Sequence, residues 1–285
     1  KPFNANFFCH SAPTPNADRE SNWRALLAPY FIEHGINPAG ISSGPGRAPF
    51  SHEIADTLEK HKPAVVSFHF GLPEPDLLTR VKEWGSTVLA SATTVEEARW
   101  LEKNGADGII AQGFEAGGHR GIFLSDKLTT QIGTFSLLPQ IVDSVDLPVI
   151  AAGGIADANG VSAALSLGAI AAQIGTAYLL CTEIRTSEIH RAAIKSDAAQ
   201  HTALTNLFTG RPARSIVNRV IREIGPISDK TPDFPLAATA ITAIRMQSEA
   251  NALGDFSPLW CGQNATGCKE ISAADLTREL ARNLK

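Results

Sequence analysis

The feature that most restricts the fold of this chain is a recurring unit: a short apolar run, a turn, then a stretch with helical spacing. Strand-like runs fall at 3–8, 64–70, 87–91, 107–111, 148–152 and 169–174. They read as apolar without polar alternation, as in a sheet covered on both faces. Helices are predicted near 18–34, 51–62, 75–84, 95–104, 135–145 and 157–167. Thr94-Val95-Glu96-Glu97 reads as a capping box, and a Gly/Pro/Ser-rich loop occupies 35–50. Such alternation implies parallel strands joined by right-handed crossovers.

The glycines decide between two architectures that share this pattern. A doubly wound sheet carries its phosphate-binding glycines after the first strand, whereas here Gly153-Gly154 and Gly175-Thr176 follow the last two. That is the arrangement of a TIM (β/α)8 barrel, in which the loops after strands seven and eight hold phosphate. The expected fold is therefore α/β, a TIM barrel with about six of its eight strands present. The abrupt start at Lys1 fits a partial sequence, because a barrel lacking two strands would expose two edges. Beyond Cys181 the alternation stops, and helices predicted at 187–196, 213–223, 236–252 and 273–284 read as a helical cap. The expected division is a barrel over 1–181 and a cap or substrate domain over 182–285, its last helix returning to the barrel wall.

Composition narrows the function class. The 285 residues carry a formal charge of -4 and are 44% hydrophobic, enough for a sizeable core and without the basic excess that draws a chain to nucleic acid or an anionic membrane. No apolar run approaches a membrane span. Cys9, Cys181, Cys261 and Cys268 are scattered, with neither a disulfide framework nor metal-ligand spacing, so a reducing, cytoplasmic setting, no metal and a small-molecule partner are expected.

On a barrel, the turns Gly153-Gly154 and Gly175-Thr176 lie side by side, and with the helix beginning near Asp157 they form an anion site suited to a phosphate monoester. Tight packing is the alternative reading of such turns. His119 sits in Gly113-Phe114-Glu115-Ala116-Gly117-Gly118-His119-Arg120-Gly121, after the strand at 107–111 and on the same rim. A histidine there can take a proton from a carbon acid or hydrogen-bond an anion. Asn6 and Gln112, at strand ends, offer amides to a flavin ring edge or ribityl chain; satisfied loop hydrogen bonds are the alternative. Glu115 reads as a second acid or a local loop partner, His69 as a strand-end residue that can line the site, and His52 and His61 as solvated surface residues. No Ser-His-Asp order, zincin motif or Walker loop is present.

Gln112–Gly121, Ala151-Ala152-Gly153-Gly154-Ile155-Ala156-Asp157 and Gln173-Ile174-Gly175-Thr176-Ala177-Tyr178 together resemble the nitronate monooxygenases, formerly 2-nitropropane dioxygenases. Ser67–Pro73 and Phe256–Gln263 are similar to the class I, bacterial-type branch. The resemblance covers nearly the whole chain. It implies an FMN-dependent TIM barrel that oxidises alkyl nitronates, notably propionate 3-nitronate, with O2. It further implies that His119 is the active-site histidine and that Ala152, Gly153, Gly154, Gly175 and Thr176 hold the phosphate. Asn6, Gln112 and Gly117 match positions beside the isoalloxazine or ribityl chain, Ser91 a strand-end flavin contact, and Gln263 the late Gly-Gln motif. The family begins with two further strands that this sequence lacks. Alternatives are an NAD(P)H-dependent flavin reductase of the same framework, acting on enoyl-acyl-carrier protein or quinones, and a non-catalytic phosphate-ligand-binding barrel. An IMP dehydrogenase type is disfavoured because no cysteine stands on the loop where its nucleophile belongs.

Overall fold

Each apolar run becomes a strand in the computed structural model, which describes residues 2–41 and 46–284. Residues 42–45, within the loop expected at 35–50, lie outside the described residues. In chain order the first half contains β1 (Asn4–Phe8), α1 (Ala17–Glu33), α2 (His52–Leu58), β2 (Val65–His69), α3 (Pro75–Glu83), β3 (Thr87–Ala92), α4 (Val95–Lys103), β4 (Gly108–Gln112) and β5 (Gly118–His119). There follow α5 (Thr134–Val142), β6 (Val149–Ala152), α6 (Ala158–Ser166), β7 (Ala171–Gln173), α7 (Glu188–Lys195), β8 (Thr202–Thr205), β9 (Ala213–Ile216), α8 (Arg219–Ile224), α9 (Ala238–Ala250) and α10 (Ala273–Leu280).

The main sheet has the order β1-β2-β3-β4-β6-β7 and every neighbouring pair is parallel. It curls as a segment of barrel wall, as expected, and no pairing joins β1 to β7 among the described residues. Because all six strands run the same way, their C-terminal ends form one rim, with Phe8 level with His69 and Gln112 level with Ala152.

The strands alternate after all, which corrects the reading of uniformly apolar runs. Val66, Phe68, Val88, Ala90, Ile109, Ala111, Val149 and Ala151 join Leu77, Val81, Leu101 and Leu137 in the principal core. The intervening residues, including Asn4, Asn6, Ser67, His69, Ser91 and Gln112, line a cavity on the other face. The period of two was masked because the polar positions are few and interspersed with Phe8, Ile110 and Ala152.

A second core gathers Trp23, Leu27, Tyr30 and Phe31 of α1 with Leu207, Phe208, Val220, Ile241, Ile244 and Phe256. Asn16 caps α1 by accepting from Arg19 N, and the fully buried Trp23 donates its indole N–H to Ala237 O at 3.0 Å. The last helix packs Leu276 and Leu280 against Val161 of α6.

Two local expectations need correction. The helix predicted over 213–223 begins only at Arg219; Ala213–Ile216 is a strand, all four residues buried, in an antiparallel sheet ordered β5-β9-β8. Val217, Val220 and Ile221 continue an apolar spacing that mimics a helix, but Arg214 must lie extended to reach Phe114 O with its guanidinium at 2.8 and 3.1 Å. At α4, Thr94 Oγ1 accepts from Glu97 N as a cap should, but the buried Glu97 carboxylate reaches Thr93 rather than Thr94. Its other oxygen accepts from Phe123 N and Leu124 N, tying the helix to the segment after His119.

Candidate active site

At the rim, β4 ends in Gln112, whose side-chain amide closes the loop that follows. Its Nε2 donates to His119 O at 3.0 Å and its Oε1 accepts from Gly121 N at 2.7 Å. Arg120, fully buried, donates to the main-chain oxygens of Gly113 and Gln112 and to Gln131 Oε1. A buried guanidinium stripped of these acceptors would be strongly destabilising, so the loop is held in one shape. Glu115 resolves as a local partner: its carboxylate accepts from Thr134 N and Thr134 Oγ1, and it does not line the cavity.

The loop brings His119 into an aromatic enclosure. Ring centroids of Phe8, Phe70, Phe234 and Trp260 lie 5.7, 6.0, 5.3 and 5.4 Å from the imidazole. His119 Nε2 meets Thr209 Oγ1 at 2.9 Å, and that hydroxyl also has Arg211 O within 3.3 Å. Burial, reinforced by the positive charges of nearby His69, Arg47 and Arg211, pushes the His119 pKa down to about 3. The imidazole is therefore neutral at physiological pH. Burial also lowers His69, to about 4, against the hydrogen bond its Nε2 makes with His119 O.

A cavity of about 560 Å³ opens beside this ring. Asn6, Ser91, Gln112, Ala152 and His119 line it from the strands; Gly117, Gly153, Gly154, Gly175 and Thr176 line it from the turns and loops. All ten residues singled out for catalysis or cofactor binding thus converge on one space. Gly153 and Gly154 adopt φ of +112° and +73°, conformations that strain other residues. At Gly117 a Cβ would stand 2.5 Å from Gly262 N, so the 117 and 262 backbones can touch only without one. Gly175 differs: a Cβ there meets nothing within 4 Å.

Among the described residues no Lys or Arg lines this cavity, and an anion at the glycine turns would meet main-chain N–H groups and the Thr176 hydroxyl. The N-terminus of α6 is capped by Asp157, which accepts from Gly160 N, so its helix dipole is already partly answered. His52 and His61 are exposed and outside the cavity, while His69 lines it. Gln263 is exposed and does not line it; its neighbours Gly262 and Asn264 do.

Sequence reasoning missed several contributors. Asn4 donates to Ser67 Oγ, which donates to Asn6 Oδ1, making a polar string along the inner face. Gly262 N donates to Thr176 Oγ1, and Asn264 donates to Gly154 O, so the late segment seals the turns. Thr209 and Phe234 carried no signal of their own, since each reaches His119 only through tertiary folding, and Trp260 lies in the 256–263 stretch that carries the resemblance but was given no role.

The nitronate monooxygenase family model matches residues 1–283. A nitronate monooxygenase from Paraburkholderia phytofirmans is 41% identical over 292 aligned positions, covering all of this chain and 78% of that protein. The one from Pseudomonas aeruginosa is 40% identical, covering all of this chain and 82% of that protein. Among solved structures, nitroalkane oxidase from Streptomyces ansochromogenes superposes with a TM-score of 0.89 at 35% identity, over all of this chain and 80% of that one. A glycine cradle and an enclosed histidine on one barrel rim, with matches of this extent, place the chain in the nitronate monooxygenase family.

Proposed function

We propose that the protein is an FMN-dependent monooxygenase that oxidises alkyl nitronates such as propionate 3-nitronate, and the parent nitroalkanes, with O2 to a carbonyl compound and nitrite or nitrate. The observation that carries this reading is the meeting of a neutral, enclosed His119 with a glycine-lined cradle across one cavity.

The cavity suits FMN by its donor set. The main-chain N–H groups at Gly153, Gly154, Gly175 and Thr176 would hold the phosphate, and the open space over Gly175 leaves it room. The polar inner face of Asn4, Asn6 and Ser67 would meet the ribityl hydroxyls, and Gly117 would let the ring lie close to the loop. When bound, FMN supplies the electron transfer from substrate to oxygen.

The chain's own residues supply orientation and proton transfer. If Thr209 donates its hydroxyl proton to Arg211 O, it accepts from His119 Nε2–H and leaves Nδ1 as the basic nitrogen. Neutral His119 would then remove the α-proton of a nitroalkane, or hydrogen-bond a substrate already in the nitronate form. Arg47 and Arg211, both near enough to depress the histidine, favour an anion beside it. The aromatic rings exclude water from the same space.

The test is O2 uptake with propionate 3-nitronate by FMN-reconstituted protein, after recording the flavin spectrum. Turnover abolished by His119→Asn in protein that still binds FMN supports the reading. Full turnover by that variant sinks the role of His119, and protein that stays colourless with added FMN sinks the cofactor. Reduction of the flavin by NADH or NADPH faster than by any nitronate would instead favour the reductase reading.

A further inference from the structure

Among the described residues Glu97 carries the one buried carboxylate, at 1% exposure. The four hydrogen bonds it accepts come from neutral donors. One oxygen takes the Thr93 N–H and hydroxyl at 2.7 and 2.6 Å, and the other takes the Phe123 and Leu124 N–H groups at 2.7 and 3.3 Å. A charge buried this deeply calls for opposite charge within reach.

Two arginines answer it without touching it. Arg211 donates to Ile122 O while Glu97 accepts from Phe123 N, and these are the two ends of one peptide group, which therefore lies between guanidinium and carboxylate. Arg120 donates to Gln131 Oε1, Gln131 Nε2 donates to the Thr93 hydroxyl at 2.9 Å, and that hydroxyl donates to Glu97. Arg120 follows His119 in sequence, and Arg211 stands two residues after Thr209, whose hydroxyl meets His119 Nε2. Arg211 O lies 3.3 Å from that hydroxyl, and the Arg211 guanidinium lies 3.9 Å over the ring centroid of Phe70, part of the imidazole enclosure. Glu97 thus balances positive charge on both segments that frame the His119–Thr209 pair, while standing outside the cavity.

We propose that Glu97 and Arg211 are positioning residues for the reaction, a peptide-bridged charge pair that sets the balance at His119 between taking a proton and facing an anion. The inference rests on the nitronate-oxidising reading above and deepens the role given there to His119. When a neutral nitroalkane loses its α-proton, the C–H electron pair stays on the nitronate and the proton goes to Nδ1, leaving a cationic imidazole beside a new anion. The charge of Arg211 favours the anion and opposes the cation, and Glu97 moderates both effects. Substrate supplied as the nitronate skips the proton step. The ratio of kcat/KM for a nitroalkane to that for its nitronate therefore isolates the base.

The experiment measures that ratio with nitroethane and its nitronate, by O2 uptake, on FMN-reconstituted parent, Glu97→Gln, Arg211→Gln and the double variant at matched flavin content. The other groups whose charge reaches the imidazole, Arg47, His69 and His10, are common to all four proteins. Glu97→Gln is expected to lower the ratio about tenfold, as one pKa unit in the base does, and to lower KM for the nitronate. Arg211→Gln should raise the ratio about threefold or more. The double variant should return to within about twofold of the parent, because the pair is removed whole. A purely cementing role would slow both substrates together and leave the ratio constant in each single variant, and that result overturns the proposal. Should Glu97→Gln fail to fold, a raised ratio in Arg211→Gln supports the pair and an unchanged one overturns it. If the parent consumes neither substrate, the functional reading fails, and calorimetric titration with nitrite decides the charge pair alone. Tighter nitrite binding in Glu97→Gln and weaker binding in Arg211→Gln support it; equal affinity, or no binding, in all four proteins overturns it.

Discussion

The two halves of the candidate site are made in opposite ways. The cradle at Gly153, Gly154, Gly175 and Thr176 is main chain, exposed by small residues that lie one β/α unit apart in sequence. The surroundings of His119 are side chains from separate segments: Phe8, Phe70, Thr209, Phe234 and Trp260. A backbone site needs glycine at fixed positions after a strand, and a motif records that requirement. An aromatic enclosure needs only rings brought together, and no spacing records it. The first half should therefore fail through shape and the second through proton transfer.

The largest expected effect separates them. His119→Asn should lower kcat for a neutral nitroalkane by about 100-fold or more, as loss of a general base does, while FMN binding measured by flavin fluorescence changes little. Weak dependence of nitroalkane turnover on this residue would break the division. Next, Gly175→Val should weaken FMN binding by about 100-fold without lowering the melting temperature of the apoprotein, because a side chain there meets open space. Unchanged FMN affinity would show that the turns are packing elements only.

Thr209→Val should cost about tenfold in kcat, with Thr209→Ser restoring most of it and KM nearly constant, since the hydroxyl orients the imidazole rather than touching substrate. The pH profile sharpens the same point. With the His119 pKa depressed to about 3 and that of His69 to about 4, the folded state resists proton uptake that the unfolded chain, titrating near 6.5, accepts. The contribution is thus fully present above pH 6.5 and declines as pH falls towards the folded values. Melting temperature should drop between pH 6.5 and 4, and His119→Asn should shrink that drop. A drop of the same size in the variant would remove His119 from the account.

These contrasts explain what was legible in the sequence. The six-strand parallel wall and the rim positions of His119 and the glycines follow from local pattern, because β/α alternation and tight turns are short-range properties. The polar inner face was not legible: Asn4, Asn6, Ser67, Ser91 and Gln112 are too sparse among apolar neighbours to register as alternation. Strand β9 was hidden because Arg214 and Ser215, both buried, are satisfied by partners distant in sequence or by main chain, where a helical pattern would put them in solvent. Gln112, read as a ligand amide, spends both its polar atoms on the loop, so its closeness to the cavity comes with an architectural duty.

His119 is itself a residue of β5, paired with Ala213 of β9. The imidazole thus belongs mechanically to the antiparallel sheet, while the glycine turns belong to the parallel one. The gap between base and cradle is set where the two sheets meet, at the hydrogen bonds from Gln112 and His69 to His119 O, and a substitution that shifts that seam would retune catalysis without touching either.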